Sequence, residues 1–400
     1  MKPRIFINIH YLEIGGAETS LIGLLQALAP KHVEINLFLN DHRGEMITYI
    51  PNWINVLPPC KAYTMIERPI KEVIKAGYIH IAFARLWAKM RFWLYVRKKR
   101  PIDGGAIFGY VGKYVTPLLP SLEHLGEYDL AISFATPHNI VLDKVLAKKK
   151  ICWIHTDYTN IDVNTSLELS IWSGYDHIVS ISKEVTNNFC QTFPTLHRKI
   201  IEIENILSPK FIRQQADSEQ HPLDMPKVEN GYTLLTIGRY CAAKKLEEIP
   251  AICRMLIEKG LSVKWYIIGY GGNEEYIRRA IAEEGMGKNV ILLGKRTNPY
   301  PYIKACDWYI QPSRYEGKSV VVREAQILGK PVIITDYPTS ASQLQNGIDG
   351  IIVPMNVDKC AEAMVMALTD ERQNKSIVEH LTTHDYGNEA EVEKIYSLIN

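Results

Sequence analysis

The chain is 400 residues long, 46% hydrophobic and 22% charged, with a formal net charge of +2. That length excludes a single ordinary domain and suits two of roughly 150–200 residues, each able to bury its own core; the near-neutral charge offers nucleic acid no long-range attraction, and no apolar run reaches the roughly 18 residues that a membrane span needs. The seven cysteines (Cys60, Cys152, Cys190, Cys241, Cys253, Cys306 and Cys360) are odd in number, scattered and without metal-ligand spacing, which predicts reduced thiols in a cytoplasmic protein.

The chain opens on a strand over 4–9 rather than on a signal peptide. The strand runs into His10-Tyr-Leu-Glu-Ile-Gly-Gly-Ala-Glu-Thr and an apolar-periodic helix from about Ala17 to Leu28. Gly15 and Gly16 at a strand-to-helix turn let backbone approach a ligand closely. Their spacing is not Gly-x-Gly-x-x-Gly, so a dehydrogenase fingerprint is absent, and the plain alternative is a tight turn. Strands follow over 33–39 and 55–57.

Residues 73–100 differ in character: they hold eight Lys/Arg and no acidic residue. Ile79, Phe83, Leu86, Met90 and Leu94 recur at helical spacing, predicting a helix or helix pair with one apolar face. Two readings stand side by side. The face lies in a membrane interface, or it packs on the N-terminal sheet.

From Tyr128 strand and helix alternate: a strand over 130–134, a helix over 139–147, then Lys150-Ile-Cys-Trp-Ile-His-Thr-Asp157. His155 and Asp157 lie just past the carboxyl end of a buried strand, where open α/β sheets bind ligands. Asp157 is placed to orient His155 or a ligand hydroxyl. A strand over 176–180, a helix over 183–191 and a strand over 199–203 lead to Asn205. Residues 208–231 are polar, carry proline, lack an apolar period and read as a linker.

A new strand over 232–238 ends in Gly238-Arg239, followed by Lys244 and a helix to about Lys259. Arg239 and Lys244 make an electrostatic clamp for a diphosphate, arginine bidentate and lysine as a point charge. The strand over 263–268 ends in Gly269-Tyr-Gly271, a helix follows to about Glu284, and the strand over 290–293 ends in Gly294 beside Lys295 and Arg296. Residues 307–335 then read as strand, turn, helix over 319–328 capped by Gly329, and strand. Ser319 is placed to cap that helix, whose open first-turn amides make an anion site. Glu316 stands just outside it and Glu324 inside, and because helical side chains lean toward the N-terminus both carboxylates can face one ligand. A strand over 350–353, a helix over 357–368 and a terminal helix over 389–399 complete the chain.

Glu316-Gly, Glu324-Ala and Gly329-Lys-Pro-Val resemble the Glu-x7-Glu motif of the family 4 retaining glycosyltransferases of the GT-B superfamily, and the likeness covers most of the chain, best from Gly238 to Pro354. It implies an α/β fold of two Rossmann-like domains facing across a cleft: an acceptor domain over 1–207, a linker over 208–231, a donor domain over 232–384, and a C-terminal helix over 385–400 crossing back to the first. It implies transfer of a hexose from a nucleotide diphosphate-sugar to a glycan or lipid-linked acceptor in cell-surface polysaccharide synthesis. Glu316, His155, Arg239 and Lys244 then take catalytic roles. Donor contacts fall to Gly15, Gly16, Arg239, Lys244, Gly269, Lys295, Glu316, Gly317, Lys318, Ser319, Val320 and Glu324, the last on the ribose hydroxyls, and acceptor contacts to Glu18 and Asp157. Lys318 and Ser319 replace the family's commonest aromatic and glycine in the sugar pocket, and Lys245 replaces a glycine. No Asp-x-Asp occurs, so neither metal nor cofactor is expected, and residues 73–100 meet the inner membrane face if the interface reading holds. The alternatives are a UDP-sugar 2-epimerase on the same fold and an inactive scaffold subunit.

Overall fold

The computed structural model describes residues 2–30, 32–99, 105–156, 158, 161, 163–218 and 222–399. They divide into two compact units, Met1–Ile206 with Glu389–Asn400, and Leu207–Asn388.

In the first unit, strands β1 (Arg4–Ile9), β2 (Glu34–Leu39), β3 (Asn55–Val56), β4 (Tyr128–Ser133), β5 (Ala147–Ile154), β6 (His177–Ser180) and β7 (Ile200–Glu202) form one sheet. Their order is β3-β2-β1-β4-β5-β6-β7, with every pairing parallel. Ile5, Phe6, Ile7 and Ile9 are all buried, as a parallel strand covered on both faces requires. Strand order reverses at β1, which lies between β2 and β4, so the loops leaving β1 and β4 flank the crevice where such sheets bind ligands. The helix predicted over 139–147 ends at Lys144, and Ala147 already belongs to β5. The Lys144 and Leu146 carbonyls accept from the Leu122 and Tyr128 N–H groups, which draws the chain out of helix and into the sheet.

The chain's last helix, Val392–Ile399, belongs to this first unit. Ile395 is fully buried. The Tyr396 hydroxyl accepts from the Ala29 N–H at 2.9 Å, Lys394 Nζ donates to the Glu202 carbonyl at 3.0 Å, and the Glu391 carboxylate accepts from the Glu204 N–H at 3.1 Å.

The segment over 73–100 forms one long helix, Ile79–Lys99, after a short one, Ile70–Lys75. Its buried side is not the predicted apolar face. Ile81, Ala82 and Ala88 are buried, and Phe92 and Tyr95 pack with Tyr110 and Leu167, while Ile79, Phe83, Leu86, Met90 and Leu94 all point to solvent.

The second unit repeats the topology. Strands β8 (Tyr232–Ile237), β9 (Val263–Ile268), β10 (Val290–Gly294), β11 (Trp308–Gln311), β12 (Val332–Thr335) and β13 (Ile351–Val353) lie in the order β10-β9-β8-β11-β12-β13, again all parallel. Successive strand residues feed opposite layers: Leu234 and Trp265 enter one core cluster, Leu235 and Tyr266 the other. Here the switch point lies between β8 and β11. The stretch read as a linker over 208–231 begins with a helix, Pro209–Ala216, capped by Ser208. Two short turns hide its period from the sequence, yet Ile212 and Ala216 are buried in the second unit's core.

Candidate active site

The loops leaving β8 and β11 bring Lys244, one half of the predicted clamp, against the first glutamate. Lys244 Nζ lies 2.5 Å from Glu316 Oε1. The same oxygen accepts from Gln311 Nε2 at 3.0 Å and from the Ser313 hydroxyl at 2.5 Å. Gln311 and Ser313 are fully buried, so this acid is held from below by neutral donors and from the side by a cation. Among the described residues, Glu316 Oε2 takes no hydrogen bond and remains free for a ligand hydroxyl. Arg314 ties the two loops, pairing with Glu247 at 2.7 Å and Glu248 at 3.0 Å while donating to the Ala242 carbonyl at 2.7 Å.

Lys245, adjacent to Lys244, does something else. It sits at φ 56°, in the left-handed region where glycine is at home. Its ammonium is turned inward, onto the Met355 carbonyl and Glu248, 2.7 Å away. Arg239 is exposed, and its side chain has no partner among the described residues.

Ser319 occupies the cap position of the helix Val320–Ile327, but its hydroxyl does not cap it. Its N–H donates to Gln343 Oε1 at 2.7 Å, and Gln343 Nε2 donates to its carbonyl at 3.2 Å. Gln343 therefore fixes the turn while no side chain caps the first-turn amides that follow. Gly317 and Lys318 are half-buried on the way into this helix. Glu324 is 3% exposed and accepts from the Tyr300 hydroxyl at 2.9 Å. Burial raises its carboxyl to about 7, against the pull of that hydrogen bond. The Tyr309 hydroxyl, fully buried, is raised by burial and then by the charges of Glu316 and Glu324, so both acids lie within electrostatic reach of it.

Gly269 has φ +155°, and a Cβ there would meet the Gly238 carbonyl at 1.9 Å. Its glycine is required by the packing of two loops on one another. Lys295 Nζ lies 5.0 Å from the centre of the Tyr270 ring. Arg296 is taken by Asp224 and by the Tyr302 hydroxyl at 2.8 Å.

In the first unit the predicted residues also gather at the switch point. Gly15 precedes the helix Gly16–Ala27, and Glu18 folds back over it so closely that a Cβ on Gly15 would meet Glu18 Oε2 at 2.3 Å. Glu18 Oε1 lies 3.6 Å from His10 Nε2. A Cβ on Gly16 would meet nothing within 4 Å. His155 follows β5, and its charge couples to both Glu18 and His10. Burial lowers its imidazole to about 4, its hydrogen bond to the Phe134 backbone and the Glu18 charge working against that. It is therefore neutral at pH 7, and its buried Nε2 has no partner. Buried and unpartnered on a neutral ring, Nε2 is open to hydrogen-bond a ligand hydroxyl. Asp157 lies outside the described residues.

Several residues that shape these sites carry no assigned role from sequence. Gln311 and Ser313 were detectable as polar residues closing an apolar strand, and His10 as the first polar side chain after β1. Tyr300, Arg314 and Gln343 come from distant parts of the chain and leave no local signal. Among the described residues no group of three or more His, Cys, Asp and Glu side chains is arranged to hold a metal ion.

Residues 217–382 match the family Glycosyl transferases group 1. An N-acetylgalactosamine-N,N'-diacetylbacillosaminyl-diphospho-undecaprenol 4-alpha-N-acetylgalactosaminyltransferase of Campylobacter jejuni is 22% identical over 380 residues, covering 93% of this chain and 92% of that protein. A poly(ribitol-phosphate) alpha-N-acetylglucosaminyltransferase of Staphylococcus aureus is 22% identical over 174 residues, covering 41% of this chain; the chain spans about a third of that relative's length, 34%. Among solved structures, S. aureus TarM in complex with UDP aligns at TM-score 0.68 and 14% identity over 100% of both chains. Anabaena HepE in complex with UDP aligns at TM-score 0.63 and 14% identity over 99% of this chain and 98% of that one. The two parallel sheets, each with loops gathered at its own switch point, are those of the GT-B fold, and residues 217–382, most of the second unit, are similar to the glycosyl transferases group 1 family.

Proposed function

We propose that this chain is a family 4 retaining glycosyltransferase that moves a hexose from a UDP-sugar to a glycan or lipid-linked acceptor in cell-surface polysaccharide synthesis, such as capsule, O-antigen or lipopolysaccharide. One observation carries the reading: Lys244 and Glu316 meet at 2.5 Å at the second unit's switch point, beside a helix start that no side chain caps. Lys244, the exposed Arg239 and the first-turn amides supply positive charge where a departing diphosphate develops negative charge, and no metal is needed for that task. Glu316 Oε2 accepts a sugar hydroxyl, Glu324 the ribose hydroxyls, and Gly317 to Val320 offer backbone between them. In the first unit Glu18, Asp157 and the bare Nε2 of His155 serve the acceptor hydroxyl. The proton of that hydroxyl passes to the donor's own phosphate as the new bond forms on the face the diphosphate leaves. The chain works in the cytoplasm, peripherally at the inner face of the membrane. The named activities of the C. jejuni and S. aureus relatives and the UDP in the TarM and HepE structures support this reading.

A thermal-shift panel of UDP, GDP, ADP and their sugar conjugates tests it. UDP at about 100 times its dissociation constant should stabilise the chain by about 2.7 kcal/mol, and Glu324→Ala should erase the shift. Product that forms without an acceptor would mean epimerisation. No shift with any nucleotide would leave only a scaffold.

A further inference from the structure

The helix Ile79–Lys99 presents to solvent the side that its sequence marks for burial. Ile79, Phe83, Leu86, Trp87, Met90 and Trp93 are between 41% and 68% exposed. At helical spacing they make one stripe roughly 21 Å long. Lys89 and Arg91, both exposed, fall at the two edges of that stripe. At its end Arg97 lies over the Trp93 ring at 3.7 Å, with Lys98 and Lys99 beyond. The opposite side is firmly anchored: Ala88 is fully buried, and Arg85 donates to the Met65 and Arg68 carbonyls. This face cannot close by turning inward without breaking that packing.

We propose that this outward face is a docking surface for an anionic phospholipid bilayer, the apolar stripe entering the acyl boundary and the basic edges resting on the headgroups. The choice of a bilayer follows from charge. Residues 73–100 hold eight Lys/Arg and no acidic residue, so a second copy of the chain would set basic edge against basic edge, whereas an anionic surface neutralises both at once. Tryptophan and arginine side by side suit the depth where apolar core meets headgroup. No helix among the described residues is long and apolar enough to cross a membrane, so the contact is one of lying on the surface. The proposal rests on the peripheral placement in the reading above and names the surface that makes it.

Flotation of the full chain with phosphatidylcholine vesicles, with and without phosphatidylglycerol, tests it. The chain should float with the phosphatidylglycerol vesicles and remain behind with pure phosphatidylcholine, and binding should weaken at high salt. Brominated acyl chains should quench tryptophan fluorescence, and Phe83→Ser with Trp87→Ser and Trp93→Ser should weaken binding by at least roughly tenfold. The UDP-induced thermal shift should be the same in native chain and variant, which separates failure of the docking surface from failure of the transferase reading and reports folding of the variant. Equal binding by variant and native chain would overturn the proposal. So would self-association of the native chain, measured by analytical ultracentrifugation, that the three substitutions abolish without any vesicle binding.

Discussion

Both units place their polar chemistry at the same point of the same topology, yet they leave it in opposite electrostatic states. In the second unit Glu316 is surrounded by three donors on a single oxygen, one of them the Lys244 ammonium. In the first, His155 Nε2 and His10 Nδ1 are buried without a partner. A satisfied buried charge is already organised before a ligand arrives, whereas an unsatisfied buried ring nitrogen gains most when a hydroxyl reaches it. The difference separates a site built to hold charge steady from one built to receive a neutral hydrogen-bonding group.

The strongest way to break that comparison is to remove the cation. Lys244→Ala should lower transfer by roughly 10² to 10³, the range for losing one preorganised stabiliser of developing charge, and Lys244→Arg should recover part of it. A double-mutant cycle of Lys244 and Glu316 on unfolding should give a coupling energy above about 1 kcal/mol; a value near zero would mean that the pair does not organise the loop.

The next effect is expected at His155, whose imidazole is lowered by burial to about 4. The unfolded chain takes up this proton near pH 6.5 and the folded chain only near 4, so stability present above pH 6.5 is lost as pH falls through that window, by about 3 kcal/mol. His138, lowered by burial to about 3, adds a term of the same sign. His155→Asn should flatten the pH dependence of urea unfolding between those values, leaving the His138 share, and should slow transfer by roughly 10². An unchanged unfolding profile would show that His155 is solvated and that the two units do not differ in the way described.

The smallest effect sharpens the second unit's side. Tyr300→Phe leaves Glu324 buried without its hydroxyl donor, which should cost about 1 kcal/mol of stability. Because Glu324 already titrates near 7, the loss should be largest above that pH, where the carboxylate is ionised, and should fade as the pH drops and the buried acid takes up its proton. Chemical denaturation at two pH values on either side of 7 would measure it.

Much of the second unit was legible because its signals are local. The strand before Gly238, the cation five residues after Arg239 and the glutamates on either side of a helix start each lie within one strand–loop–helix stretch, where period and turn chemistry speak directly. Even there the sequence, which put Lys244 in the clamp and Lys245 where a glycine is usual, did not show what keeps the second lysine out of the site. The backbone explains it: the left-handed conformation at Lys245 turns its ammonium inward, onto the Met355 carbonyl and Glu248. The segment over 208–231 hid its helix for the opposite reason, since eight residues offer only two turns of period.

The amino-acid sequence by itself determined the alternation of strands and helices, the two-unit α/β class and the identity of the charged groups at the loop ends, because each is written in residues close together along the chain. Only the tertiary structure decided that Gln311, Ser313 and Lys244 converge on one oxygen of Glu316, that Tyr300 reaches Glu324, and that the apolar face of Ile79–Lys99 looks outward. The physical reason is that a periodic stripe says a face is apolar but not what covers it. A hydrogen bond between side chains far apart in sequence exists only once the sheet order has set the loops side by side.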